Sequence, residues 1–276
     1  MKYEGTFKTR DGVELYECRW DNTSELKANL VLIHGFGEYC GRYAESAGVF
    51  NQGGICVHSY DQRGFGHSPG RRAYINRFET LLEDLDDYLA HVQPKLESAP
   101  WFMMGHSMGG LVLARYVQTR SVQARGLVFS SAFLAFSDEL PRYLLTISGF
   151  LGKYLPWLPV GEVDNSRLSR DPAVVAAADV DPLSFHGRVR ARTGSQFHEA
   201  IKQLEAGYNR ITQPVYIIHG ADDRVVSNLG SRVLHERCAS KDKSFKLYEG
   251  GYHELWNDLD KEAVLTGIRD WILAHA

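Results

Sequence analysis

The sequence predicts an α/β protein built on a largely parallel sheet with helices on both faces. Two observations carry that prediction. Short apolar runs alternate with amphipathic stretches from residue 61 onward, and the turns joining them are short and contain glycine. Composition supplies a third: the 276 residues are 44% hydrophobic and 24% charged, with a net charge of −3 at pH 7. That is globular usage, which excludes disordered and fibrous classes. A chain of this length buries roughly three quarters of its unfolded surface, enough for one large domain with or without an insertion. The near balance of charge and the lack of a basic run exclude a nucleic-acid partner.

Before residue 61 the pattern has period two or short apolar runs, which predict strands at 3–9, 13–20, 29–33 and 55–60. Asp11-Gly12 reads as the turn of a hairpin. Residues 77–92 repeat Phe78, Leu81, Leu82, Leu85 and Leu89 over acidic partners and predict an amphipathic helix. Trp101-Phe-Met-Met104 follows as a strand, 108–119 as a helix and 125–130 as a strand. The rhythm resumes with strands at 215–219 and 245–248 and helices at about 228–238 and 259–274.

Between 135 and 205 the rhythm breaks and no strand pattern appears. Leu140, Tyr143, Leu144, Ile147, Leu151, Tyr154, Leu155 and Leu158 recur at helical spacing; Pro141 suits a first turn, and Gly149, Gly152 and Pro156 interrupt. Leu145, Phe150 and Trp157 lie off that stripe, so apolar surface covers more than one side. A helix buried on two sides accounts for this. So does a lid whose second face lines an acyl pocket, with Leu144, Ile147 and Leu151 as lining residues, or makes transient contact with a membrane surface. The expected division is a core of 1–134 and 206–276 with a helical insertion at 135–205.

The four cysteines, Cys18, Cys40, Cys56 and Cys238, form no C-x-x-C pair, so neither a zinc site nor a disulfide framework is expected. Reduced thiols fit a cytoplasmic protein. The first ten residues lack the apolar core of a signal peptide, and no run reaches the 18 or so apolar residues of a membrane span.

Gly105-His-Ser107-Met-Gly109 matches G-x-S-x-G, between an apolar strand and a helix-forming run. The glycines permit a sharp strand-to-helix turn that leaves the Ser107 hydroxyl exposed at the strand end, and the helix N-terminus behind it favours negative charge on a reacting oxygen. A serine needs a base, and in such a fold the acid and then the histidine follow it in the chain. Eleven histidines compete. His34, His106 and His219 adjoin strand-end turns, His235 lies on a predicted helix, and His275 is in the last two residues. His253 alone combines position after the last strand with a loop of small and turn residues, and is assigned as general base. The acid belongs after the preceding strand, where Asp222 and Asp223 stand side by side; spacing does not decide between them. Oxyanion donors are expected at the amide of Met108, next after the nucleophile, and of Phe36 in His34-Gly-Phe-Gly37.

With these motifs the sequence resembles the α/β-hydrolase superfamily and, within it, the monoacylglycerol lipase and lysophospholipase group. The resemblance covers nearly the whole chain. It rests on His34-Gly-Phe-Gly-Glu38 through Tyr43, Asp61-Gln-Arg63 through Ser68, Gly105 through Gly110, Gly220-Ala-Asp-Asp223-Arg-Val, and Tyr248 through Glu254. Leu168-Ser-Arg-Asp171 and Asp181-Pro-Leu183 add matches in the cap. The resemblance implies a mostly parallel eight-stranded sheet with a helical cap inserted after the sixth strand, and Asp223, which precedes Arg-x-Val, as the acid. Glu38, Arg42 and His106 match positions near the glycerol end of the substrate in that group. Asp61 and Arg63 are expected to shape loops. One departure is Ala178, where lipase members can carry a tyrosine four residues before the proline of the cap Asp-Pro.

The resemblance implies a serine carboxylic ester hydrolase acting on single-chain acyl esters, monoacylglycerol first, through an acyl-enzyme and with no metal or organic cofactor. It implies a cytoplasmic protein that is peripheral at membranes if the cap touches lipid. Lysophospholipids or a broad set of carboxylic esters are the alternative substrates. C–C bond hydrolysis, peptide hydrolysis, or a non-catalytic ligand-binding receptor on the same fold are further readings; an intact Ser, Asp and His argue against the last.

Overall fold

The computed structural model describes residues 1–137, 142–162 and 164–276, apart from the side chains of Arg142, Leu144 and Leu145. The chain opens with a hairpin of β1 (Lys2–Lys8) and β2 (Glu14–Trp20). Gly12 takes a φ of +86° in its turn, a left-handed value that glycine adopts freely. There follow β3 (Ala28–Ile33), α1 (Ala44–Gln52), β4 (Ile55–Tyr60), α2 (Phe78–Leu96), β5 (Trp101–His106), α3 (Met108–Thr119) and β6 (Gly126–Ser130). After β6 come α4 (Arg142–Tyr154), β7 (Pro159–Gly161), α5 (Pro172–Val180), β8 (Val189–Arg190) and α6 (Ala191–Glu205). The chain then closes with β9 (Val215–Gly220), α7 (Leu229–Arg237), β10 (Lys243–Tyr248) and α8 (Lys261–Ala274).

Eight strands form one sheet in the order β1-β2-β4-β3-β5-β6-β9-β10. The pairs β1–β2 and β2–β4 are antiparallel and the remaining five are parallel. Strand residues alternate between two cores, as a period of two requires. Val31, Ile33, Met103, Leu127 and Phe129 pack beneath α2, α3 and α6, while Leu30, Leu32, Met104, Val128 and Ile218 pack beneath α1 and α8. Chain order reverses direction at β3, which lies between β4 and β5. Such a switch opens a crevice beyond the carboxyl ends of the strands. Ile33 pairs with Gly105 and His106 with Ser130, so the loops after β3, β5 and β6 leave the sheet side by side at that crevice.

The structure adds elements that periodicity does not predict. Helix α1 is one: its buried set is only Ser46, Ala47, Phe50 and Asn51, with Gly48 between, too weak a stripe to stand out. Helix α2 runs four residues past the predicted end, carrying Pro94 in its last turn. Between β6 and β9, where no strand was expected, β7 and β8 pair as a short antiparallel ribbon. The predicted helical run over 140–158 is α4 alone. It passes through Gly149 and Gly152 and stops before Pro156, whose ring disfavours helix in the residue before it. Leu140 and Pro141 lie outside the described residues. At Gly152 a side chain would collide with Ser195 of α6, so this glycine allows the two helices to cross closely. Helix α6 in turn buries Phe197, Ala200, Ile201 and Leu204 in the same core as the sheet. All four cysteines are buried and unbridged. Among the described residues no helix is long and apolar enough to cross a membrane.

Candidate active site

Ser107 sits between β5 and α3 with φ +50° and ψ −118°, a conformation that costs on the order of 1–3 kcal/mol for a residue with a side chain. The surroundings enforce it. A Cβ on Gly109 would strike the carbonyl oxygens of Ile33 and His34, and one on Gly105 would strike the carbonyl of Gly109. Ser107 donates its amide to Ser130 O at 3.1 Å and accepts at its carbonyl from Gly110, Leu111 and Phe133. The hydroxyl is thereby fixed at the crevice.

His253 comes from the loop after β10. Its Nε2 lies 2.9 Å from Ser107 Oγ and its Nδ1 lies 2.7 Å from Asp223 Oδ2. The Asp223 side chain is fully buried, and its other oxygen accepts from the amides of Val225 at 2.8 Å and Val226 at 3.0 Å. Burial alone would push the Asp223 carboxyl upward, yet the imidazoles of His253 and His219 hold it well below the usual range. An ionised Asp223 accepts only, so Nδ1 of His253 carries the proton and the Nε2 lone pair faces the Ser107 hydroxyl. Burial disfavours a charged His253, but the charge and hydrogen bond of Asp223, with Glu254 and Glu38 nearby, hold its pKa above the ordinary value. Of the two adjacent carboxylates, Asp223 is the one at His253, whereas Asp222 is exposed. The Asp222 and Ala221 amides bond Gly251 O and Tyr248 O, which locks the acid-bearing loop to the histidine-bearing loop.

Gly35 and Phe36 run close past the nucleophile, and a Cβ on Gly35 would stand 3.1 Å from Ser107 Cβ. Met108 opens α3, so its amide is a first-turn donor without an intrahelical acceptor. Phe36 and Met108 both line a cavity of about 490 Å³ over Ser107. Phe133, Phe136, Leu151, Phe185, Val189 and Phe197 supply apolar lining.

Glu38, Arg42 and His106 line the same cavity. Glu38 accepts from Gly35 N and from Tyr43 OH, the latter at 2.8 Å, while its Oε2 has no hydrogen-bond partner and lies 3.6 Å from Arg42. Burial raises the Glu38 carboxyl to about 7, against the pull of the Arg42 charge. Arg42 forks onto Glu254. His106 is buried, with Nδ1 bonded to Ser130 O at 3.1 Å and its ring 4.9 Å from that of His253. Burial, reinforced by the nearby His253, pushes its pKa well down.

The three cap positions assigned to the acyl pocket divide. Leu151 is half-buried and lines the cavity. Ile147 is 41% exposed and does not line the cavity, because the cavity-facing edge of α4 runs through Ser148 and Leu151 and leaves Ile147 on its outer shoulder. The Leu144 side chain lies outside the described residues. Ala178 is buried at the cavity. Asp61 and Arg63 hold loops: Asp61 accepts from the Cys40 and His67 amides, and Arg63 pairs with Asp11 and Asp84. Sequence reasoning missed Glu254 and His219 as partners in the site, although one adjoins His253 and the other stands four residues before Asp223. It also missed Phe133, Phe185 and Phe197, which no periodicity marks as cavity residues. Among the described residues, no group of three His, Cys, Asp or Glu side chains is arranged to hold a metal ion.

A sheet of this order, with serine, acid and histidine delivered in that sequence from the carboxyl ends of successive strands, defines the α/β-hydrolase class. The chain belongs to the serine aminopeptidase S33 family, whose model matches residues 24–260. It is 31% identical to a monoacylglycerol lipase of Mycolicibacterium smegmatis, over 99% of this chain and 97% of that one. It is 32% identical to the monoglyceride lipase of Rattus norvegicus, over 95% and 88%. Among solved structures, a soluble variant of monoglyceride lipase from Saccharomyces cerevisiae in complex with a substrate analog superposes with a TM-score of 0.84, at 26% identity over 98% of this chain and 94% of that one.

Proposed function

We propose that this chain is a serine carboxylic ester hydrolase whose substrate is a monoacylglycerol. The observation that carries the reading is the unbroken line from Ser107 Oγ through His253 to Asp223, at 2.9 and 2.7 Å, in a cavity lined by both apolar and polar side chains. Ser107 attacks the ester carbonyl while His253 Nε2 takes its proton. The amides of Phe36 and Met108 stabilise the oxyanion, each such donor being worth about 2.7–4 kcal/mol. Collapse of the tetrahedral intermediate breaks the C–O bond, and His253 returns the proton to the leaving glycerol. Water activated by His253 then attacks the acyl-enzyme and frees the fatty acid and Ser107.

The acyl chain lies along Phe133, Phe185, Phe197 and Leu151. The glycerol hydroxyls meet Glu38, Arg42 and His106. A buried carboxyl that titrates near 7 and has one oxygen without a hydrogen bond suits a neutral diol better than a phosphodiester anion, which favours monoacylglycerol over lysophospholipid. With Ala178 at the cavity, no hydroxyl stands at that point of the wall, so head-group selection falls on Glu38 and Arg42.

Residues 135–205 serve as the cap, and its outer face meets the lipid surface. Tyr143, Phe150, Tyr154, Leu155, Trp157 and Leu158 are exposed in this segment, and Lys153 lies among them in the chain. With a net charge of −3, apolar contact rather than charge brings the protein to a bilayer. Four unbridged buried thiols fit a cytoplasmic enzyme that visits membranes as a peripheral protein.

The test is a panel of monoacylglycerols, lysophospholipids and p-nitrophenyl esters of graded chain length, assayed with wild type and Ser107→Ala. Long-chain monoacylglycerol should give the highest kcat/KM, and Ser107→Ala should lower kcat roughly 10⁴-fold or more. Full activity in Ser107→Ala would remove the mechanism, and a preference for lysophospholipid would remove the substrate assignment.

A further inference from the structure

Behind Asp223 stands a second imidazole. His219, at the carboxyl end of β9, is fully buried, and its Nε2 lies 3.1 Å from Asp223 Oδ2, the same oxygen that takes His253 Nδ1 at 2.7 Å. Its other nitrogen, Nδ1, lies 2.8 Å from the hydroxyl of Ser231, a fully buried residue of α7. The tautomer follows from these neighbours. Asp223 accepts only, so a donor is needed at Nε2; Nδ1 is then a lone pair and takes the Ser231 proton. The approach of Nε2 to the carboxylate is oblique, a charge contact rather than an aligned hydrogen bond, and Nε2 has no hydrogen-bond partner elsewhere. We infer that His219, with its tautomer set by Ser231, is a positioning residue that holds the Asp223 carboxylate in the plane His253 requires.

The inference rests on the reading of Ser107, His253 and Asp223 given above. Its physical content is the sharing of one oxygen between the hydrogen bond of His253 and the electrostatic contact of His219. Oδ1 is already committed to the amides of Val225 and Val226, so the carboxylate has no freedom to rotate while His219 occupies the far side of Oδ2. Without that contact Oδ2 loses its second restraint and is held by His253 alone, toward which its charge is then directed. The ionisable groups around His253 are Asp223, Glu254, Glu38 and His106, and Asp223 is the one that His219 touches. Asp223 is therefore the side chain through which a change at His219 reaches His253.

The experiment compares His219→Gln, His219→Phe and Ser231→Ala with wild type and Ser107→Ala. It reads kcat, KM, the pH profile of kcat/KM on a monoacylglycerol, and the melting temperature. His219→Phe should lower kcat about 10- to 100-fold, as loss of a partner behind a functional group does, with KM nearly constant. Its acid limb should move to higher pH, because an Asp223 no longer shared stabilises the His253 imidazolium more strongly. His219→Gln, which presents an N–H at a similar reach, should recover most of the loss. Ser231→Ala should show a smaller loss in the same direction. Unchanged kcat and acid limb in His219→Phe and Ser231→Ala overturn the inference, even if the melting temperature falls. Should His219→Phe fail to fold, the profile of Ser231→Ala decides alone. Failure of the underlying reading shows separately, as activity surviving in Ser107→Ala.

Discussion

Arg42 closes on Glu254 through two parallel hydrogen bonds, Nη1 to Oε1 at 2.6 Å and Nη2 to Oε2 at 2.8 Å, one residue from His253. The pair joins the loop after β3, which carries Gly35 and Phe36, to the loop after β10. The carboxylates of Glu254 and Glu38 outweigh burial and hold the Arg42 guanidinium above its ordinary pKa. Glu254→Ala strips that buried guanidinium of its bidentate partner and leaves it only Glu38, 3.6 Å away, a change that costs up to about 3–5 kcal/mol. Urea unfolding should register the loss. The double variant Arg42→Met, Glu254→Leu should be less destabilised than either single variant, because it strands no charge.

Glu38 makes stability depend on pH. An unfolded carboxyl releases its proton near 4.5, while the buried Glu38 keeps its proton to about 7, so the folded state binds more protons between those values. Its contribution is fully present below about 4.5 and is lost as pH rises to about 7, amounting to at most about 3 kcal/mol. Glu38→Gln lacks that loss. Its urea midpoint should therefore gain on wild type between pH 5 and pH 8, and a constant difference would contradict the assignment.

The same carboxyl reaches the catalytic profile. His253 must be neutral to accept the Ser107 proton, and its pKa is raised by Asp223, Glu254 and Glu38. The acid limb of kcat/KM should lie above about 6.5, the ordinary imidazole value. Glu38→Gln should move it downward. Stopped-flow or steady-state rates from pH 5 to 9 give both values.

Two glycines should respond in opposite ways to the same change. Gly109→Ala drives a methyl into the carbonyls of Ile33 and His34 at the turn that holds Ser107, and soluble expression should fall sharply. Gly48, within α1, has open space at its Cβ position. Gly48→Ala should raise stability by about 0.5–1 kcal/mol, read as a higher melting temperature.

Leu151→Trp fills part of the apolar wall. Rates on long-chain monoacylglycerols should fall at least about tenfold while short esters are spared, since each methylene lost from a pocket is worth 10- to 200-fold in selectivity. An equal loss on all chain lengths would show that Leu151 does not read the acyl chain.

Much of this molecule is legible in the sequence, for reasons that differ by residue. The sheet shows because strands buried on both faces read as continuous apolar runs, as in Leu30-Val-Leu-Ile33. Ser107 shows because only glycines fit beside it, which leaves a pattern in the chain. Asp223 does not separate from Asp222 by spacing, since neighbours on a loop point apart and only the fold says which points inward; the resemblance supplied that choice. Helix α1 hides behind small residues and Gly48. The cavity wall is assembled from Phe133, Phe185 and Phe197, which stand far apart in the chain and share no period. Ile147 illustrates the converse: it has the right spacing but falls on the wrong shoulder of its helix. His219 and Glu254 escape notice because each acts through a neighbour rather than on substrate.

Phe185, in the segment between α5 and β8, donates its amide to Gly37 O at 2.8 Å, and its ring meets that of Phe36 edge-on at 5.9 Å. The roof is thus bolted to the strand-end loop that runs past Ser107 and carries Phe36, the proposed oxyanion donor. A chimera that exchanged only the insertion between two relatives would arrive without its mooring. A graft meant to transfer chain-length preference should therefore carry residues 35–39 along with the insertion as a single cassette.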